Sequence, residues 1–97
     1  MDYVYNVVVL KQIYSIIKEN KKMEKLLELL EEIDGDIDFR ECQTLIDDGE
    51  LDSFAILEIV AEINDTFHVQ IGASDIVPEN FNSAKAMWKM IQRLKDE

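Results

Sequence analysis

From Asp52 to Phe67 the chain contains neither Gly nor Pro, and Ile56, Val60, Ile63 and Phe67 recur at intervals of four, three and four. That spacing predicts an amphipathic helix. Counted from Ser53 at about 100° per residue, these four side chains share an arc near 280–340°, whereas Glu58, Glu62 and Asp65 share one near 120–180°. The helix should therefore carry a core face and an acidic face. Phe54 falls beside the acids and away from the core arc, as an exposed apolar contact. Asp52 is placed to be the N-cap, accepting hydrogen bonds from backbone N–H groups that have no helical partner. Leu51 before it and Ile56 within the first turns are placed for a hydrophobic staple, which makes Ser53 the first helical residue.

Two further stretches read as helices. Leu26, Leu27, Leu30 and Ile33 fall at helical spacing between Glu24 and Ile33, with Gly35 just beyond. Near the C-terminus, Ser83 can cap a helix whose Met87, Met90, Ile91 and Leu94 form a core stripe. The methionines there are packing material, since thioethers fill irregular gaps, and Trp88 lies off the stripe, partly buried. Within the long loop from Asp34 to Gly49, Ile37, Phe39, Leu45 and Ile46 should fold back onto the core, because exposing all four would leave a large apolar surface.

Residues 1–22 are ambiguous. Tyr3 to Leu10 is strand-like in composition, while Leu10, Ile13, Tyr14 and Ile17 sit at helical spacing. A signal peptide does not fit, because no basic residue precedes the short apolar run, and Lys11 and Lys18 rule out a membrane span. Residues 1–22 are therefore read as an N-terminal extension and residues 23–97 as the principal domain. Met23 is either the start of that domain's own chain or the end of an added amphipathic helix.

Charge sharpens this division. The 97-residue chain has a formal net charge of −11. Residues 1–22 hold four lysines against Asp2 and Glu19, a balance of +2, which leaves six basic and nineteen acidic side chains, or −13, in residues 23–97. Such a domain is a poor ligand for nucleic acid and a good one for basic protein surfaces.

Candidate chemistry is sparse. Asp34-Gly35-Asp36-Ile37-Asp38 imitates the opening of a calcium loop, but Phe39 stands where that loop needs Gly and Leu45 where it needs its closing Glu. Cys42 and His68 are each the only residue of their kind, too few for a structural zinc site and in no recognisable setting for a nucleophile and base. No metal site is expected. A lone cysteine also precludes an internal disulfide, which is compatible with a reducing cytoplasm. His68 is placed at a helix end, near the negative pole of the dipole. Ser53 itself, read from residues alone, is either an ordinary first-turn serine or a hydroxyl displayed at a helix start.

Leu45-Ile46-Asp47-Asp48-Gly49-Glu50-Leu51-Asp52-Ser53-Phe54, with Ala55 to Val60 after it, resembles the phosphopantetheine attachment region of acyl carrier proteins. The resemblance extends to Phe67-His68-Val69-Gln70-Ile71, at the close of the second helix of that family. It extends also to Asp75-Ile76-Val77-Pro78-Glu79-Asn80-Phe81-Asn82-Ser83, at its short third helix and the approach to the fourth. It implies an all-α four-helix bundle of three main helices and one short one. It places a 4′-phosphopantetheine arm on Ser53, with Asp52 as the motif's acidic residue. It further implies a non-catalytic, cytoplasmic, monomeric carrier without membrane insertion. Such a carrier is modified by a phosphopantetheinyl transferase, loaded by an adenylate-forming acyl or aminoacyl ligase, and unloaded by an acyltransferase or synthase. Partner docking in the family falls on the second helix, which singles out Asp48, Glu50, Phe54, Glu58, Glu62 and Asp65.

Phe54 follows the serine, as in D-alanyl carrier proteins, where fatty-acid carriers usually have Leu. This favours D-alanine for modification of a cell-surface polymer. The stretch Pro78 to Ser83 departs from the D-alanyl pattern, so cargo for fatty acid, polyketide or nonribosomal peptide synthesis stays open. So does an unmodified acidic helical interaction module.

Overall fold

Four α-helices follow one another in the computed structural model, which describes residues 3–96, with side chains from Asn6 onward: α1 (Tyr3–Ile33), α2 (Ser53–Phe67), α3 (Pro78–Phe81) and α4 (Ala84–Lys95). A single 3-10 turn, Ala73–Asp75, lies between α2 and α3. The described residues contain no strand. The result is an all-helical bundle of the acyl-carrier type, three long helices and a short one.

Helix α1 is longer than the sequence pattern of Glu24 to Ile33. It begins at Tyr3 and runs unbroken for 31 residues. The strand-like stretch before Leu10 is thus helical. The valines there cost only a few tenths of a kcal/mol each in a helix, and α1 is already held in register by the bundle at its other end. It stops at Ile33, where the Asp34 carboxylate turns back to accept the Asp36 N–H at 3.0 Å.

The C-terminal part of α1 packs on α2 and α4, and α3 packs on α4. Leu26, Leu27, Leu29 and Leu30 of α1 are buried against Ile59, Ile63 and Phe67 of α2 and Met87, Met90 and Ile91 of α4. Phe81, from the four-residue α3, closes one end of this core. The loop residues Ile37, Phe39 and Leu45 are buried as the sequence predicts, and Ile46 is half-buried. Trp88 is half-buried and meets Phe67 edge-on, ring centroids 5.8 Å apart.

On α2 the buried stripe is rotated from the predicted one. Ile59 is fully buried, while Ile56 and Val60 are only half-buried. Ile59 lies at about 240° on the wheel, just outside the predicted arc. The core arc therefore centres on Ile63 and flanks it on both sides.

Ahead of Glu19, whose carboxylate accepts the Gln92 side-chain N–H at 3.0 Å, the N-terminal part of α1 projects from the bundle. Every residue from Leu10 to Lys21 is exposed, and the molecule extends 54 Å along its longest axis against 29 and 20 Å across. No helix among the described residues is long and apolar enough to cross a membrane.

Candidate functional site

Ser53 is the first residue of α2 and is exposed. Asp52, in extended conformation with φ −91° and ψ 177°, caps the helix, its Oδ1 accepting the Ala55 N–H at 2.8 Å. The Asp52 carbonyl accepts the Ile56 N–H at 3.0 Å. The cap therefore uses the aspartate, which leaves the serine hydroxyl outside the capping bond. A phosphodiester at Ser53 would sit at the positive end of the helix dipole, beside N–H groups of the first turn. The residues present thus suit a phosphate-linked group.

The loop that delivers Ser53 is tightly braced. Backbone bonds run from Asp48 N–H to Thr44 O, from Gly49 N–H to Ile46 O and from Leu51 N–H to Leu45 O, at 2.8, 3.0 and 3.1 Å. The Thr44 hydroxyl donates to the Asp48 carboxylate. Gly49 takes a left-handed conformation, φ 73°, which lets the chain reverse between Asp48 and Glu50. Leu51, buried, pins the end of the loop to the core.

Asn82, in the turn between α3 and α4, contributes a brace that sequence reasoning missed. Its Oδ1 accepts the N–H groups of Ile46 and Asp47 at 2.9 and 3.1 Å, and its Nδ2 donates to the Asp47 carboxylate at 3.2 Å. The Asn82 carbonyl accepts the Leu45 N–H at 2.9 Å. One residue thereby fixes the loop ahead of Ser53 to the far end of the fold. Its only sequence signal is an Asn between an apolar helix end and a capping Ser.

The acidic residues singled out in the sequence lie on the surface of the loop and α2. Asp48, Glu50, Glu58, Glu62 and Asp65 are all exposed. Phe54 is 71 % exposed, and Leu57, one turn on, is 63 % exposed. An apolar pair thus stands beside an acidic line near Ser53. Ile56, half-buried one turn from Ser53, borders a recess of about 100 Å³ that Ile46, Ile76, Val77, Pro78 and Phe81 also line.

At the other end of α2, His68 adopts a left-handed conformation, φ 57°, as the C-cap, the helix-end position foreseen for it. The Asn64 side chain accepts the Ile71 N–H at 2.9 Å and so secures the turn that follows. Cys42 is a free, half-buried thiol. On the flank of the bundle, Arg40 bridges Glu24 at 2.6 Å and Glu31 at 3.4 Å. The hydrogen bond from Arg40 holds the Glu24 carboxyl below the usual carboxylate range, slight desolvation opposes it, and the charge of Arg40 adds to the lowering.

Over 76 residues the chain is 28% identical to the D-alanyl carrier protein of Lactococcus lactis subsp. lactis strain IL1403, an alignment covering 76% of this chain and 96% of that protein. The D-alanyl carrier proteins of Lactococcus lactis subsp. cremoris strains MG1363 and SK11 match with the same identity and coverage. No family model matches the chain, and no solved structure matches it with significance. The three relatives support a carrier-protein family of the D-alanyl type.

Proposed function

We propose that this chain is a non-catalytic carrier whose Ser53 is the attachment point for 4′-phosphopantetheine and whose cargo is D-alanine. The observation that carries the reading is the placement of Ser53, exposed and first in α2, with the cap supplied by Asp52. When bound, the arm supplies a terminal thiol that holds an acyl or aminoacyl group as a thioester. The chain's own part is to hold Ser53 open to solvent on a braced loop and to present Phe54, Leu57 and the acidic line to partner enzymes. A phosphopantetheinyl transferase, an adenylate-forming ligase and an acyltransferase are the implied partners, each recognised through basic surface around an apolar contact. The likeness to D-alanyl carrier proteins favours D-alanine.

The test is mass spectrometry after incubation with a broad-specificity phosphopantetheinyl transferase, magnesium and coenzyme A. The wild type should gain one phosphopantetheine and Ser53→Ala none. A wild type that stays unmodified would defeat the proposal and leave an acidic helical interaction module. If the modified chain then accepts fatty acyl groups and refuses D-alanine from its ligase, the cargo assignment fails while the carrier role stands.

A further inference from the structure

Helix α4 is a basic element in an acidic domain. Of the six basic side chains in residues 23–97, four stand on α4, namely Lys85, Lys89, Arg93 and Lys95, and the helix holds no acid from Ala84 to Lys95. Lys85, Lys89 and Arg93 follow one another at intervals of four, so they form a single row about 12 Å long. At about 100° per residue that row lies roughly 150° round the helix from Met87, Met90 and Ile91, which are buried. All three cations are exposed. Ion pairs among the described residues form only at Arg40, so none of the three is matched to a carboxylate.

The row lines a groove of about 350 Å³ to which Gln43, Asn80 and Ser83 also belong. Asn80 is fixed there by its Nδ2, which donates to the Asp75 carbonyl at 2.8 Å, and its Oδ1 accepts from the Arg93 guanidinium at 2.9 Å. The guanidinium is thus oriented by a neutral amide, which sets its direction and leaves its charge uncompensated. Gln43 and Ser83 bring an amide and a hydroxyl as further donors. Glu79 is the one carboxylate on the lining, against three cations.

We propose that this groove binds a small diphosphate-bearing molecule. Charge selects a multivalent anion, because three cations against Glu79 leave an excess that a single carboxylate cannot match. A diphosphate offers more acceptor oxygens and more charge, and both suit an arginine fork flanked by lysines. Size selects a small one, since about 350 Å³ lies at the lower end of the roughly 300–1,000 Å³ of ligand sites. A long polyanion would run past the groove over a domain of −13 and be repelled. Ala86 is the sole apolar residue of the lining. No ring is present to stack a base, so recognition stops at the diphosphate.

Isothermal titration calorimetry of the full chain with inorganic pyrophosphate, at low ionic strength and without magnesium, should show one saturable site. Lys89→Gln and Arg93→Gln should each weaken it about tenfold, with circular dichroism unchanged because both residues are exposed. Lys95→Gln removes the same charge from the same helix but off the row, and should change the affinity by less than about twofold. Glu79→Gln should strengthen binding about threefold. ADP should bind as pyrophosphate does. Amide chemical shifts on titration should move at Gln43, Asn80 and Lys89. Absence of saturable heat overturns the proposal, and so does a loss in Lys95→Gln equal to that in Lys89→Gln. ADP binding more than about tenfold tighter than pyrophosphate, or shifts gathered on the lysines of α1, would overturn it as well. None of these results depends on Ser53, whose modification is read separately by mass.

Discussion

Asn82 holds Asp47 from both sides, accepting its backbone N–H at 3.1 Å and donating to its carboxylate at 3.2 Å, and takes the Ile46 N–H at 2.9 Å as well. Asn82→Ala should leave these groups unpaired, the Ile46 N–H in a partly buried position, and lower stability by about 1–3 kcal/mol. Amide exchange at Ile46 and Asp47 should accelerate, and modification of Ser53 should slow as the loop loosens. Unchanged exchange at those two amides would show that the loop holds without this brace.

Ile59 and Leu57 sit two residues apart on α2 with opposite fates, 0% and 63% exposed. Ile59→Ala should cost about 2–5 kcal/mol through lost burial and the cavity left behind. Leu57→Ala should stay within about 0.5 kcal/mol of wild type yet weaken partner binding. Urea unfolding of the two variants side by side decides; equal costs would contradict the observed rotation of the core arc.

The Glu24 carboxyl, held low by Arg40, gives a pH dependence of known sign. A carboxylate with a depressed folded-state pKa adds stability that is present above its unfolded value, about 4.3. That stability disappears as pH falls through the lower folded value. The gap in urea midpoint between wild type and Glu24→Gln should therefore be open at pH 6, begin to close below about pH 4 and vanish in stronger acid. Because the pair is exposed, the gap should also narrow in high salt. A gap constant from pH 6 into the acid range would assign it to packing instead.

Residues 23–97 carry −13, which predicts self-repulsion at low ionic strength. Added sodium chloride or magnesium should raise the melting temperature. A flat or falling melting temperature across a salt titration would mean that the acids are already compensated in the folded state.

Glu58→Lys with Glu62→Lys should slow phosphopantetheine transfer and loading about tenfold or more, through loss of steering toward basic partners, while circular dichroism stays that of the wild type. Both residues are exposed, so the fold should tolerate reversal. Equal rates with every partner enzyme would show that the acidic line serves solubility alone.

Much of this molecule is legible along the chain because its signals are local. The Asp52 cap, the Ser83 cap, which accepts the Ala86 N–H at 3.0 Å, and the Met87, Met90 and Ile91 stripe all follow from short spacings. The length of α1 does not, since the valines before Leu10 suit a strand as well as a helix and only the packed end of the helix settles the matter. Ile59 escaped because a stripe drawn through Ile56 and Val60 places the core one step to the side. Asn82 is illegible for a different reason: its partners lie 35 and 36 residues away, and nothing local marks an amide as a long-range brace.

The division of labour between Asp52 and Ser53 bears on how the proposed carrier would tolerate modification. The bond that starts α2 runs from Asp52 to Ala55, so a substituent on the Ser53 hydroxyl neither makes nor breaks it. A phosphate-linked substituent there, at the positive end of the α2 dipole, should leave the cap intact and not lower the stability of the fold.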